Sequence, residues 1–344
     1  GFVYDEVNER CILVSGAWDT GHGWSDYGDM WVLEDGVWNE LSVTGVPTSN
    51  NFEMAYSGDD EKVVVFTNNN DRTYVFDVAE SRWRMLGHRD GPRRRCDAGF
   101  CYDPVNGVFI MYGGLTDDSV DIRVLDDTWA YDVGSDTWTE MSPAGGPPRT
   151  YGCRMVWDSV NEVMLLWGGN LYQGEGDKLD DWWVYDYQSN TWTMIETDPK
   201  PPMRYWQYMA FDPGVGKVVM FGGNPRLGSS LGDTWLYDYA SNEWSEVKPA
   251  VSPPASQCGA MVYVPGLGGV VLFGGMDNNQ NELGEIWLFD AEAGEWSQVE
   301  SGAPEPVEDE SGSRIPGFPI ISVIIALIIF LSYAGISGEK HLAQ

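Results

Sequence analysis

Residues 99–114 read GFCYDPVNGVFIMYGG, and residues 127–140 read DTWAYDVGSDTWTE. Each stretch holds two short runs rich in aromatic and β-branched residues, separated by a turn of Pro, Asn, Gly, Asp or Ser, which is the pattern of a β-hairpin. The second run, residues 108–112, is apolar on both faces, as expected of a strand covered on both sides. Together the two stretches predict one sheet of four antiparallel strands.

The same pattern recurs six times along the chain. Its last tryptophan returns at intervals of 45 to 55 residues, and an aromatic residue precedes it by seven residues in the first copy and by nine in the others. These tryptophans are Trp38, Trp83, Trp138, Trp192, Trp244 and Trp296. Tandem four-stranded units of about 50 residues are typical of propeller blades, because a closed ring exposes only short sheet edges. We therefore predict an all-β, six-bladed propeller over residues 1–300. The expected blades are residues 1–47, 48–95, 96–148, 149–202, 203–254 and 255–300.

Pairs of glycines end the second strand in the last four copies. They are Gly113 and Gly114, Gly168 and Gly169, Gly222 and Gly223, and Gly274 and Gly275. The lack of a Cβ atom permits unusual backbone angles and a close approach between sheets. The paired aromatic residues on the third and fourth strands are expected to fill the wedge between blades. Copies one and two differ, with Gly16-Ala17 and Thr67-Asn68 in place of the glycine pair.

These residues resemble the kelch repeat: a strand ending in Gly-Gly, then Asp-Thr-Trp-x-Tyr-Asp at residues 127–132 and 233–238, then Asn-x-Trp at residues 190–192 and 242–244. The resemblance implies a ring of the galactose oxidase and kelch type. Such rings usually complete one blade with strands from both chain ends, whereas here copy one begins with its own first strand and copy six ends with its fourth. We expect one of two arrangements. Either the ring closes without a shared sheet, or a longer chain supplies an additional strand or a seventh blade.

Candidate binding residues lie in three loops that precede first strands, which the resemblance places on one face near the central channel. They are Arg94, Arg95, Arg149, Tyr151, Arg204, Tyr205 and Trp206. A guanidinium group beside aromatic rings could hold a carboxylate or a sugar. The alternative is structural, since these loops recur in phase: each arginine would pair with a neighbouring blade's carboxylate or cap loop carbonyls.

The charge balance excludes one class of partner. The chain has 53 acidic against 20 basic residues, a formal net charge of −33. Nucleic acid is therefore not expected as a partner, because phosphate binding needs clustered Lys and Arg. With three histidines (His22, His88 and His341) and no CxxC pair, the sequence predicts no cofactor. Calcium bound by Asp117, Asp118 and Asp121 is the open alternative to a solvated acidic loop.

The composition changes after residue 300. Residues 301–315 are acidic and rich in Pro and Ser, and we predict a disordered linker there. No charge occurs in residues 315–338, so we predict a transmembrane helix over residues 316–338 and a short tail over residues 339–344. Pro316, Gly317 and Phe318 resemble the PGF sorting signal of archaeal surface proteins, which implies exchange of the helix for a lipid. Either version anchors the protein to a membrane, with the acidic propeller expected outside the cell.

No catalytic constellation is recognisable, so we do not expect an enzyme. The expected function is binding of a protein or glycan by an outward-facing, membrane-anchored propeller, with specificity carried by loops on a rigid scaffold. The alternative is a surface carbohydrate-active enzyme that uses the central channel.

Overall fold

Each copy of the repeat folds into one antiparallel sheet of four strands. The computed structural model describes residues 1–19, 24–34, 36–49, 51–68, 72–87, 90–116, 122–171, 179–225 and 228–299, and side chains are not described for residues 15–19 and 24–27. Within every four-stranded sheet the strands follow chain order, so that each sheet is one repeat. The predicted all-β, six-bladed architecture is confirmed.

Strands one to four of each blade run from the inside of the ring to its outside. The strands of blades one to three are β1 (Phe2–Asp5), β2 (Arg10–Asp19), β3 (Trp24–Glu34), β4 (Val37–Glu40), β5 (Phe52–Ser57), β6 (Lys62–Thr67), β7 (Arg72–Asp77), β8 (Arg82–Gly87), β9 (Gly99–Asp103), β10 (Val108–Tyr112), β11 (Thr128–Asp132) and β12 (Thr137–Glu140).

The strands of blades four to six follow in the same order. They are β13 (Arg154–Asp158), β14 (Val163–Trp167), β15 (Trp182–Asp186), β16 (Thr191–Ile195), β17 (Tyr208–Asp212), β18 (Lys217–Phe221), β19 (Thr234–Asp238), β20 (Glu243–Val247), β22 (Ala260–Val264), β23 (Gly269–Phe273), β25 (Ile286–Asp290) and β26 (Glu295–Val299). A short pair, β21 (Ser256–Gln257) and β24 (Met276–Asp277), joins the loops above blade six.

The ring closes by side-chain packing between blades one and six. The innermost strands contact one another in sequence from β1 through β5, β9, β13 and β17 to β22, and β22 contacts β1. At the closing junction the ring centroid of Phe273 lies 5.7 Å from that of Phe2 and 5.3 Å from that of Trp38. No four-stranded sheet among the described residues combines strands from both chain ends. Within the described residues, the six blades close without a shared sheet. An additional strand or blade in a longer chain stays an expectation.

The fourth-strand tryptophans are buried in the wedges between blades. At three junctions the indole N–H donates to a threonine hydroxyl at the start of the preceding blade's third strand: Trp138 to Thr73 at 2.9 Å, Trp192 to Thr128 at 3.0 Å and Trp296 to Thr234 at 2.9 Å. At the junction of blades four and five, Trp182 replaces the threonine and stacks on Trp244 with centroids 5.3 Å apart. The repeated tryptophan thus links each blade to the one before it.

The glycine pairs hold the inner ends of neighbouring blades together. The N–H of the second glycine donates to a carbonyl of the next blade, from Gly114 to Thr150 at 2.7 Å and from Gly223 to Ser256 at 2.8 Å. A Cβ atom on Gly113, whose φ is +66°, would lie 2.6 Å from the carbonyl oxygen of Thr150. This distance is too short for any side chain, so the close approach between blades requires glycine here.

The region after the propeller lies outside the described residues. Residues 300–344 include the predicted linker, the predicted helix over residues 316–338, the tail and the Pro316, Gly317 and Phe318 signal. Among residues that the structure does describe, no helix has the length and apolar character needed to cross a membrane.

Candidate functional site

The innermost strands surround a central cavity of about 780 Å³, which we call the channel. Its volume falls within the range of pockets that hold small molecules or side chains, about 300–1,000 Å³. The apolar lining comes from residues such as Met54, Phe100, Met155 and Met261. Charged groups line it as well, namely Asp29, Glu53, Asp97, Arg154 and Glu282. The channel is therefore neither purely apolar nor evenly charged.

A chain of backbone hydrogen bonds runs from blade to blade at the start of the innermost strands. The N–H of Gly152 donates to the carbonyl of Asp97 at 2.7 Å, that of Trp206 to Gly152 at 2.8 Å, and that of Cys258 to Trp206 at 3.1 Å. All four residues have positive φ, between 57° and 70°. We call these four residues the belt. Three of its side chains, those of Asp97, Trp206 and Cys258, line the channel.

Two of the predicted binding arginines are buried and committed to ion pairs. Arg95 and Arg204 are 0% exposed. Arg95 donates to both carboxylate oxygens of Asp127, at 2.5 and 2.8 Å, and to the carbonyl of Gly113 at 2.9 Å. Arg204 makes the equivalent contacts with Asp233 and Gly222. The expectation that these two side chains hold a ligand is corrected here, because neither reaches solvent or the channel.

Arg149 does not occupy the position equivalent to these arginines. Cys96, Tyr151 and Tyr205 make corresponding backbone bridges, to Leu115, Asn170 and Asn224. The residues just before them, Arg95, Thr150 and Arg204, are therefore equivalent in the three loops. Arg149 lies one residue earlier and is exposed, while Arg94 is half-buried. In blade four, the aspartate before the third strand is Asp181, and it is contacted by Lys200 at 2.5 Å rather than by an arginine. The similar Pro-rich sequences of the loops conceal this shift of one residue.

The aromatic candidates do come together, at the junction of blades four and five. The ring of Tyr205 lies 6.0 Å from that of Tyr151 and 4.5 Å from that of Trp206, and Tyr151 and Trp206 are 6.5 Å apart. All three side chains are half-buried. Gly152 leaves room for the indole, because a Cβ there would lie 3.0 Å from Trp206 Cδ1. We call Tyr151, Tyr205 and Trp206 the mouth cluster, since it borders the channel through Trp206.

Three channel residues with unusual electrostatics carry no repeat signature. Glu53 and Arg154 occupy equivalent positions in blades two and four, and in blade three between them this position is Gly99. Glu53 is 8% exposed, and its Oε1 accepts the N–H of Ala98 at 2.8 Å. Burial raises the pKa of Glu53 to about 7, against the opposing charge of Arg154. Burial likewise raises the pKa of Asp97, again opposed by Arg154.

Replacing Glu53 with glutamine is expected to remove a pH-dependent loss of stability. The folded protein holds the pKa of Glu53 at about 7, above its ordinary 4.5, under the combined influence of burial, Arg154, Asp97, the Ala98 N–H and the Gly1 amine. The wild type is therefore fully stabilised by protonated Glu53 below pH 4.5 and loses that contribution as the pH rises through 7. Glutamine resembles the protonated form at every pH.

Urea unfolding at pH 4.5, 6, 7 and 8 measures this effect. The free energy of unfolding of Glu53→Gln minus that of the wild type should rise by on the order of 3 kcal/mol between pH 4.5 and 8. A difference that stays constant over this range would mean that the folded protein does not shift the titration of Glu53.

The residues considered as metal ligands in the sequence lie outside the described part of the chain. Asp117, Asp118 and Asp121, the calcium candidates, lie outside the described residues, as do His22, His88 and His341. In the described residues no group of three or more His, Cys, Asp or Glu is placed to hold a metal ion. The five cysteines are free thiols, and Cys258 is the exposed one among them.

Comparison with known proteins gives a family match over most of the propeller. The KLHDC2/KLHL20/DRC7 Kelch-repeats domain matches residues 58–257 and, in a second overlapping alignment, residues 105–315. An F-box/kelch-repeat protein of Arabidopsis thaliana is 29% identical over 203 residues, which is 54% of this chain. Adagio-like protein 3 of Oryza sativa subsp. japonica is 27% identical over 230 residues, or 63% of this chain. The matched regions span only 40% and 35% of those two relatives.

Proposed function

The chain belongs to the kelch-repeat family, and on that basis we propose that its propeller is a binding module whose partner, a protein or a glycan, docks at the channel mouth. Kelch propellers are typically protein-interaction modules, which favours a protein as the first choice. Fold alone does not identify a ligand, so the assignment of the mouth has to come from its own residues.

The mouth cluster is the observation that carries this proposal. Most of the repeated residues are occupied in holding blades together, and Arg95 and Arg204 are committed to ion pairs within their own blades. By contrast, Tyr151, Tyr205 and Trp206 are only partly buried, and their rings are adjacent. Grouped, partly exposed Tyr and Trp side chains are enriched at protein interfaces, because they contribute large contact areas at a low cost in conformational entropy. Aromatic rings also stack on sugars, which keeps a glycan as the second choice.

Site-specific photo-crosslinking tests the location of binding. A benzophenone side chain is placed at Tyr205 in the mouth cluster or at Thr193, an exposed residue on the outermost strand β16 of blade four. After irradiation in the native cells, one partner should be recovered reproducibly from the variant labelled at Tyr205 and not from the variant labelled at Thr193. Adding Trp206→Ala to the Tyr205-labelled variant should abolish the crosslink. Recovery from Thr193 alone would place binding on the rim and contradict the proposal.

An enzymatic function is the second candidate, and one observation favours it. Two carboxyl groups with raised pKa values, Glu53 and Asp97, line one cavity together with Arg154. Glycoside-cleaving enzymes use a pair of carboxyl groups, one of which is held protonated near neutral pH. Turnover of chromogenic glycosides that is lost in both Glu53→Gln and Asp97→Asn would support a surface carbohydrate-active enzyme over a binding module.

We also propose that the propeller is held at the outer face of a membrane by residues 316–338. The support is the sequence itself, with no charged residue over residues 315–338 and an acidic linker before them. Carbonate extraction of membranes should leave the full chain in the pellet and release a chain ending at residue 300. Protease added to intact cells should remove the propeller. Mass spectrometry of the C-terminus would distinguish a retained helix from a lipid attached near Pro316, Gly317 and Phe318.

A further inference from the structure

We infer that the channel binds a cationic side chain, an arginine or a lysine, presented by the partner protein. This inference rests on the proposed function and assigns the chemistry of the group that enters the channel. Among the described residues that line the cavity, Asp29, Glu53, Asp97 and Glu282 are acidic and Arg154 is the one basic side chain. Glu53 is buried, Asp29 and Asp97 are half-buried, and Glu282 is exposed. A carboxylate withdrawn from water, as that of Glu53 is, is costly unless positive charge accompanies it. A second cation would offset the excess negative charge.

Glu53 supplies an acceptor directed at this space. Its side chain is more than nine-tenths buried, and Oε1 accepts the N–H of Ala98 at 2.8 Å. Its second oxygen, Oε2, has no hydrogen-bond partner among the residues described, and the side chain lines the channel. This oxygen is accessible from the channel rather than sealed in the core, so it can accept a hydrogen bond from a donor that enters the cavity. Guanidinium and ammonium groups are the strongest donors to such an oxygen.

Arg154 does not satisfy this acceptor. No ion pair within 4.0 Å joins Arg154 to Glu53 or Asp97 in the described part of the chain, although its charge acts on both. Asp97 accepts a long hydrogen bond of 3.5 Å from the Asn51 amide, and the side chains of Trp206 and Cys96 also favour its charged form.

The indole of Trp206 supplies an aromatic surface suited to the same ligand. It lines the channel, and the backbone of Trp206 is fixed within the belt. Cations are attracted to the face of a tryptophan ring, and arginine stacks on it through its planar guanidinium group. Trp206 also belongs to the mouth cluster, so one extended peptide could place a basic side chain in the channel while its neighbouring residues cover Tyr151 and Tyr205. A protein therefore fits better than a free amine.

Peptide titration of the full-length protein tests the inference. The probes are acetyl-Gly-Gly-Arg-Gly-Gly-amide, the same peptide with citrulline or glutamate in place of arginine, and glucosamine. Isothermal titration calorimetry at pH 7.5 should show binding of the arginine peptide about tenfold or more tighter than the citrulline peptide, which has the same shape without the charge. Glu53→Gln and Asp97→Asn should each weaken the arginine peptide by about tenfold.

Glu243→Gln is the matched control, because it removes the same charge from an exposed position at the start of β20. It should change the affinity by less than about twofold. Equal weakening by Glu53→Gln and Glu243→Gln would show non-specific attraction to an acidic protein and overturn the inference. So would tighter binding of the glutamate peptide that depends on Arg154, or glucosamine binding as tightly as the arginine peptide. If no probe binds while Tyr205 still crosslinks to a partner, the cationic ligand is wrong and the binding module stands.

Discussion

Gly113→Ala is expected to destabilise the propeller by about 2–5 kcal/mol. Gly113 has a φ of +66°, and a Cβ atom there would lie 2.6 Å from the carbonyl oxygen of Thr150 in the next blade. The left-handed conformation costs an alanine about 1–2 kcal/mol, and the overlap adds about 1–3 kcal/mol because backbone atoms of two blades have to separate. The change also disturbs the N–H of Gly114, which donates to the same carbonyl at 2.7 Å. Urea denaturation measures the loss.

Gly107→Ala is the matched control for this prediction. Gly107 lies in the same blade with a φ of +67°, but an added Cβ would meet no atom within 4 Å. Its substitution should cost only the conformational part, about 1–2 kcal/mol. Equal destabilisation by the two substitutions would mean that the approach between blades is looser than the structure has it, and that Gly113 is required only for its backbone angle.

Arg204→Ala is expected to cost about 3–5 kcal/mol, the range for breaking a buried ion pair by removing one partner. Arg204 is fully buried, and it donates to Asp233 at 2.5 and 2.7 Å and to the carbonyl of Gly222 at 3.0 Å. Burial by itself would raise the pKa of Asp233, but the hydrogen bonds and charge of Arg204 outweigh it and lower that pKa. Without the arginine, Asp233 and the Gly222 carbonyl lose their donor.

Two comparisons distinguish this structural role from ligand binding. Arg82→Ala removes an arginine whose side chain is 70% exposed beside Glu80, and it should change stability by less than about 0.5 kcal/mol. The deficit of Arg204→Ala should shrink as the pH falls below about 4, because protonated Asp233 no longer needs a cation. A stable Arg204→Ala protein that had lost only its partner would return Arg204 to the list of ligand-binding residues.

The repeat made the architecture predictable from the sequence. Six tryptophans in phase, with a glycine pair in four copies, define the blades even where Thr67-Asn68 replaces the pair. The mode of closure was not predictable, because the contact between Phe2 of blade one and Phe273 of blade six joins residues that are far apart in the chain. Such a contact joins the two ends of the described propeller, and no local pattern encodes it.

The candidate site was predictable only in part. Phase brought Tyr151 and Tyr205 together correctly, since equivalent loop positions of adjacent blades are neighbours in the ring. The position of a residue within the repeat does not determine the direction of its side chain. Arg204 was therefore predicted to bind a ligand, although its side chain points into its own blade and pairs with Asp233. Glu53 and Arg154 were not predicted, because a repeat pattern marks only the positions at which the same residue type recurs. The informative signal was the reverse, a position that holds glutamate, glycine and arginine in three successive blades.

In the belt, the hydrogen bonds between blades are made by the main chain and not by the side chains. Its four members, Asp97, Gly152, Trp206 and Cys258, share one backbone conformation and one pattern of interblade hydrogen bonds, yet they are acidic, absent, aromatic and thiol-bearing in turn. The interblade hydrogen bonds use amide and carbonyl groups that every amino acid except proline possesses, so the side chains of Asp97, Trp206 and Cys258 take no part in them, whereas Gly152 has to leave room for the indole. A library confined to the codons of Asp97, Trp206 and Cys258 would therefore be a compact route to changing the lining of the channel while the interblade hydrogen bonds are kept.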